Sequence, residues 1–159
     1  MIKLEKPDID VASIITDCTA NLTKQPILTH INASKTTIVS KSEKYNELAE
    51  KGQLGTLETH TMIEGGATKD DMVWLYDNKF VADGGRKYYD KIKAIPKYSK
   101  CQFCGVGIVS TLDHYLPKTK YPTYALTPVN LIACCADCNK NKKSEISETR
   151  NNEFIHPYY

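Results

Sequence analysis

Two Cys-x-x-Cys pairs, Cys101-Gln102-Phe103-Cys104 and Cys135-Ala136-Asp137-Cys138, bracket residues 105–134 in the last third of the chain. Either pair alone would say little. Together they supply four soft thiolates, the donor set of a tetrahedral structural zinc site. Such a site pins two stretches that are distant in sequence, so the residues between them must fold as a loop that returns to its start. Cys134 is adjacent to Cys135 and must point elsewhere; the spacing selects Cys135 as ligand and leaves Cys134 for packing, with Cys134 as ligand the alternative. The remaining cysteine, Cys18, is expected to be a buried free thiol in the apolar stripe of a helix. This clustering argues for a metal site in a reducing compartment over a disulfide framework.

A chain of 159 residues fits one domain, or one small core with a helical attachment. Its 41% hydrophobic and 25% charged residues are the balance of a folded protein rather than a disordered one. No apolar run approaches the roughly 18 residues of a membrane span. The opening MIKLEKPDID lacks the apolar segment and cleavage site of a secretory signal, so we expect a cytoplasmic protein with no membrane partner. The net charge of +2 hides a division: residues 1–83 carry 9 basic and 13 acidic side chains, whereas residues 84–150 carry 12 basic and 5 acidic. The cysteine-rich end is therefore the basic end, which suits a surface that attracts phosphate backbones, although solvated lysines would look the same.

Residues 1–98 read as a mainly helical support or partner-docking region. A helix is expected over 8–22, capped by Asp8, with Val11, Ile14, Ile15, Cys18 and Leu22 on one face. INASKTTIVS is too mixed to assign; Ser40 and Glu43 then form a capping-box signal for a short helix running to Gly52. The stretch that follows reads as a connection, with one extended piece at LETHTMI and His60 on its surface. Thr68 and Asp71 form a second capping box ahead of Met72, Leu75, Tyr76 and Phe80, and RKYYDKIKAI gives a further helix on Tyr88, Ile92 and Ile95 that Pro96 stops.

Residues 99–150 carry the chemistry. Gly107–Leu112 reads as a short strand leading to Asp113 and His114, KTKYPTYALTP as a loop, NLIACC as an apolar segment into the second cysteine pair, and ADCNKNKKSEI as a helix. The ordered set Cys101-Gln102-Phe103-Cys104, Asp113-His114-Tyr115-Leu116-Pro117, Asn130-Leu131 and Cys135-Ala136-Asp137-Cys138-Asn139-Lys140-Asn141-Lys142 resembles the HNH endonucleases with a four-cysteine structural zinc. The resemblance covers about residues 99–145. It implies an α+β protein in which a helical N-terminal region is attached to a small zinc-stabilised ββα-metal core, and it implies metal-dependent hydrolysis of DNA phosphodiester bonds leaving a 5′ phosphate and a 3′ hydroxyl.

The residues agree with that chemistry. Asp113 offers a carboxylate and Asn139 a carbonyl oxygen to a hard Mg²⁺ or Mn²⁺ ion, while Zn²⁺ occupies the cysteines. His114, leaving an extended strand in a different direction from Asp113, can take the proton of an attacking water near neutral pH, and Asn130 can fix the histidine ring or its loop. Lys118, Lys120, Lys140, Lys142 and Lys143 are expected to contact DNA phosphates without reading sequence.

Residues 151–159 form a C-terminal tail, NNEFIHPYY, of a chain that either ends at Tyr159 or continues beyond it. The tail reads as a packed apolar anchor, with His156 structural. It is also similar to tails of bacterial defence-associated HNH proteins, which implies an antiphage setting and a separate ATPase-like regulator. A second copy of the chain is the other partner expected on the acidic N-terminal region. The readings that compete with the nuclease are a noncatalytic zinc module that binds nucleic acid and a protein-interaction domain with an incidental basic face.

Overall fold

The computed structural model describes residues 3–142 and 156–159. It is an α+β fold: four helices, α1 (Val11–Thr19), α2 (Ile27–Glu50), α3 (Lys69–Leu75) and α4 (Arg86–Lys93), precede the antiparallel strands β1 (Thr111–His114) and β2 (Leu131–Cys134) and the helix α5 (Ala136–Lys142). The first expected helix forms, and Val11, Ile14, Ile15, Cys18 and Leu22 are all buried. Its cap is Asp10 rather than Asp8: the Asp10 carboxylate accepts from the backbone N–H of Ala12 at 3.3 Å and of Ser13 at 2.9 Å.

The largest departure from expectation is α2. The unassigned INASKTTIVS and the short helix after it are one continuous 24-residue helix, and the supposed capping pair Ser40 and Glu43 lies inside it. Its buried positions, Ile27, Ile31, Ser34, Ile38, Ser42, Tyr45 and Ala49, recur every three or four residues and make a complete stripe. Two serines interrupt the apolar signal because they are contact points for crossing loops. Ser34 Oγ accepts from Ala67 N–H at 3.0 Å, and Ser42 Oγ lies 2.6 Å from Thr127 Oγ1. Beside Ser34 the backbone of Gly65, at φ 103°, runs so close that a Cβ there would stand 2.4 Å from Ala33 O.

Thr68 and Asp71 form the expected capping box on α3, which passes into a π turn at Tyr76–Phe80. On α4 the inward aromatic is Tyr89 rather than Tyr88, whose hydroxyl donates to Asp17 at 2.6 Å. The stretch expected as extended, LETHTMI, follows a 3-10 turn at Leu54–Thr56, opens with an extended Leu57, and forms one isolated bridge, between Met62 and Thr68. His60 is not loose on the surface: its Nε2 sits 2.7 Å from Thr123 Oγ1. KTKYPTYALTP, expected as a polar loop, contains a 3-10 turn at Pro122–Tyr124 and leads into another at Pro128–Asn130; Tyr121, Tyr124, Ala125 and Leu126 are buried.

The hairpin is covered on both faces. Leu112, Leu131 and Ala133 join the core made by α1 to α4, whereas Ile132 joins a second core of Tyr45, Leu116, Tyr121, Tyr124, Val129 and Tyr158. Residues 156–159 complete that second core. Tyr158 is fully buried and donates from its hydroxyl to Leu131 O at 3.0 Å, and Leu4 N–H donates to Pro157 O at 2.8 Å. Tyr158 N–H donates to His156 Nδ1 at 3.3 Å, so the ring proton is on Nε2, 3.1 Å from the Tyr45 hydroxyl. Burial pushes His156 down to about 3.

Between that value and the roughly 6.5 of an exposed histidine, the unfolded chain holds a proton that the native chain does not. Stability from this group is therefore full above pH ~6.5 and falls as the pH drops toward 3, at up to about 1.4 kcal/mol per pH unit. Urea unfolding from pH 7 to 5 should show His156→Gln losing less stability than the parent; equal losses would contradict the assignment.

Candidate metal centre and the adjoining aspartate-histidine hairpin

The four expected cysteines come together. The Sγ atoms of Cys101, Cys104, Cys135 and Cys138 all lie within 4.8 Å of one another. Four sulfurs about 2.3 Å from a shared ion stand a little under 4 Å apart in a tetrahedron, and Cys104 Sγ to Cys135 Sγ is 4.0 Å. The set is able to hold a metal ion and is consistent with structural zinc. Cys134 is outside the cluster, fully buried in the strand, with its thiol pushed up to about 12 by burial. Cys18 behaves likewise, 1% exposed and pushed up to about 12.

The first knuckle is built from backbone. Cys101 N–H donates to Gly107 O and Gly105 N–H donates to Cys101 O, both at 2.8 Å, with Gly105 at φ 69°. The turn aims Gly107 N–H at Cys104 Sγ, 3.3 Å away, and with the Val106 amide this holds the Cys104 thiol down to about 6. Cys138 moves the other way, pushed up by burial first and by the neighbouring thiols second. Four thiolates this close repel one another, and a shared cation removes the conflict. Gly107 is packed against the site: a Cβ there would meet Cys135 Sγ at 2.8 Å.

The cysteines fix one end of the hairpin. Thr111 pairs with Cys134, Leu112 with Ala133, Asp113 with Ile132 and His114 with Leu131. Successive strand residues leave on opposite faces, so His114 shares a face with Leu112 and Asp113 shares the other with Ile132. On the first face the His114 ring meets Tyr76, with centroids 4.5 Å apart, and its Nε2–H donates to Ala125 O at 3.0 Å. That bond leaves Nδ1 as the acceptor nitrogen. His114 is 7% exposed, and burial, with the charges of Lys118 and Lys142, pushes it down to about 3.

On the other face Asp113, also 7% exposed, lies against α5. Lys142 Nζ is 2.8 Å from Asp113 Oδ2 but outside hydrogen-bond geometry; the ammonium instead donates to His114 O at 2.6 Å and Tyr115 O at 3.3 Å. Burial pushes the Asp113 carboxyl up, and Lys142 opposes that shift. The charge partner of Asp113 Oδ2 is therefore the Lys142 ammonium. Asn139 is half-buried and stands three residues before Lys142, on the same side of α5.

Asn130 fixes the loop rather than the histidine ring. It is fully buried and uses its whole hydrogen-bonding capacity: Oδ1 accepts from Leu116 N–H at 2.8 Å and the Tyr45 hydroxyl at 3.0 Å, while Nδ2 donates to Leu116 O at 3.1 Å and Tyr124 O at 3.0 Å. Tyr45, on α2, is the residue that sequence reading missed; its place in the stripe of α2 was the available signal.

The lysines expected on a phosphate-facing surface divide. Lys120 and Lys140 are exposed. Lys118 is 2.5 Å from Asp77 Oδ1 and lies over the Tyr76 ring. Lys142 corrects the expectation: it is 7% exposed and serves as the internal counter-ion of Asp113. Lys143 is outside the described residues.

Metal analysis of purified variants checks the ligand set. Cys101→Ala should lose the bound metal and Cys134→Ser should keep it. Gly107→Val should lower occupancy although it removes no ligand, because its side chain would press on Cys135. Full metal in Gly107→Val would contradict the packing described.

No helix among the described residues is long and apolar enough to cross a membrane. No family model and no solved structure matches the chain. It is similar to "Protein ea31" of Escherichia phage lambda, 30% identical over 168 aligned positions that cover 99% of this chain and 56% of the relative. The chain thus spans about half the length of the curated relative it matches.

Proposed function

We propose that the chain is a metal-dependent DNA endonuclease of the HNH type, its ββα-metal core made of β1, β2 and α5. The observation that carries this reading is the arrangement around one hairpin: Asp113 and His114 in β1, Asn130 at the entry to β2, and Asn139 and Lys142 on the helix against Asp113, closed at one end by four cysteines. In this reading Asp113 and Asn139 hold Mg²⁺ or Mn²⁺, which when bound would neutralise charge on the scissile phosphate. His114, anchored through Nε2–H to Ala125 O, takes the proton of the attacking water at Nδ1. Asn130 holds the loop after β1 against the segment that supplies Ala125. Exposed Lys120 and Lys140 lie against the DNA backbone. The acidic helical region docks a second copy or an ATPase-like regulator. The phage origin of the relative lends no support to an antiphage setting.

A second reading has its own observation. His114 is buried and lowered to about 3, a weak base for proton abstraction at neutral pH. This favours a noncatalytic zinc module that binds nucleic acid.

Cleavage of supercoiled and linear DNA, with Mg²⁺ or Mn²⁺ added, separates the two. The nuclease reading expects cutting by the parent and a loss of about 10²–10⁴-fold in His114→Ala with zinc content unchanged. Binding without cutting by the parent would favour the module, whereas equal cutting by His114→Ala would remove His114 from the reaction.

A further inference from the structure

A groove of about 980 Å³ runs between the N-terminal strap at residues 3–9 and the first cysteine knuckle. On its knuckle wall stands Tyr98, 89% exposed, with a backbone at φ 56° followed by Ser99 at φ 52°. Two consecutive non-glycine residues in the left-handed region are unfavourable, and for a bulky side chain the conformation persists only where its surroundings impose it. Here they do. Ser99 O accepts from Val109 N–H at 2.8 Å, Lys100 N–H donates to Lys97 O at 3.3 Å, and Lys100 forms a bridge with Ile108. The result is an aromatic ring held in solvent, where it contributes almost nothing to packing.

The chemistry around the ring is basic. Lys97 and Lys100 flank Tyr98 in sequence, and Lys91, from the last turn of α4, lines the same groove; all three are exposed. Glu5 and Asp8 lie on the opposite, strap side. An aromatic face among ammonium groups matches a nucleic-acid strand, whose bases stack and whose phosphates pair with lysine. A base inside a duplex is already stacked on both sides, so away from a duplex end a base on Tyr98 must be unpaired.

We propose that this groove is a second binding site, in which Tyr98 stacks an unpaired base of a single-stranded DNA segment whose phosphates lie on Lys91, Lys97 and Lys100. The inference rests on the nucleic-acid reading above and names a part of the substrate which that reading leaves open. The neighbouring exposed Val106 and Ile108, 75% and 60% accessible, would suit a protein surface, but the three lysines favour a polyanion.

Fluorescence anisotropy with a short labelled single strand, full chain and no added divalent ion, tests the site apart from cleavage. Tyr98→Ala should weaken binding by about 5- to 100-fold and Tyr98→Phe should restore it. Lys97→Gln with Lys100→Gln should flatten the salt dependence by about 0.7 in log–log slope per lysine. Tyr98→Gly relieves the left-handed strain, so it should melt no lower than the parent while binding as weakly as Tyr98→Ala. Parent-like binding by Tyr98→Ala and Tyr98→Gly would overturn the proposal. So would a change in mass by light scattering with strand binding intact, which would mark the patch as a contact between copies. A chain that binds through Tyr98 but never cuts would sink the nuclease reading alone; one that cuts while Tyr98→Ala binds normally would sink the second site alone.

Discussion

A two-stranded hairpin with four residues in each strand cannot hold itself together in water. This one is covered on both faces by the two cores, and four cysteine sulfurs gather at one end, where Thr111 opens β1 opposite Cys134, the close of β2. Because side chains alternate along a strand, a slip of one residue would exchange the faces of every residue in it. The cluster sits next to the pairing whose register decides that Asp113 faces α5 and His114 faces Tyr76. The geometry of the candidate site thus depends on a contact several residues away from it.

The other end of the hairpin is held by hydrogen bonds. Asn130 ties the chain after β1 to the segment before β2, and through Tyr45 it reaches α2, from the opposite end of the sequence. The Tyr45 hydroxyl also meets His156, which brings the C-terminal residues onto the same point. A buried amide with all four positions filled resists repacking, because losing any partner strands a polar group away from water. The helical half is therefore more than a platform. It supplies part of the polar network beneath the candidate site.

Much of this was legible in the sequence. The cysteine spacing identified the four clustered thiols, but the strand expected at Gly107–Leu112 lies at Thr111–His114, so Asp113 and His114 stand within it, on opposite faces, rather than after it. Asn130 was recognised as a brace, although not which atoms it would join. The identity of α2 was hidden because Ser34 and Ser42 occupy its buried stripe, and their value lies in loops more than thirty residues away that a local pattern does not contain. The same holds for residues 121–126, whose tyrosines and proline look like a surface loop until the second core is seen around them. Lys142 shows the limit from the other side. Its charge was plain, but whether it faces solvent or a buried carboxylate depends on how α5 lies against β1.

The four clustered sulfurs at the end of the hairpin are able to hold one metal ion among them. X-ray absorption at the zinc edge of the purified protein tests this most directly. Zinc held by the four cysteines gives a single shell of four sulfur ligands at about 2.3 Å. A first shell containing nitrogen or oxygen, or protein that folds with no bound metal at the cysteines, would contradict it.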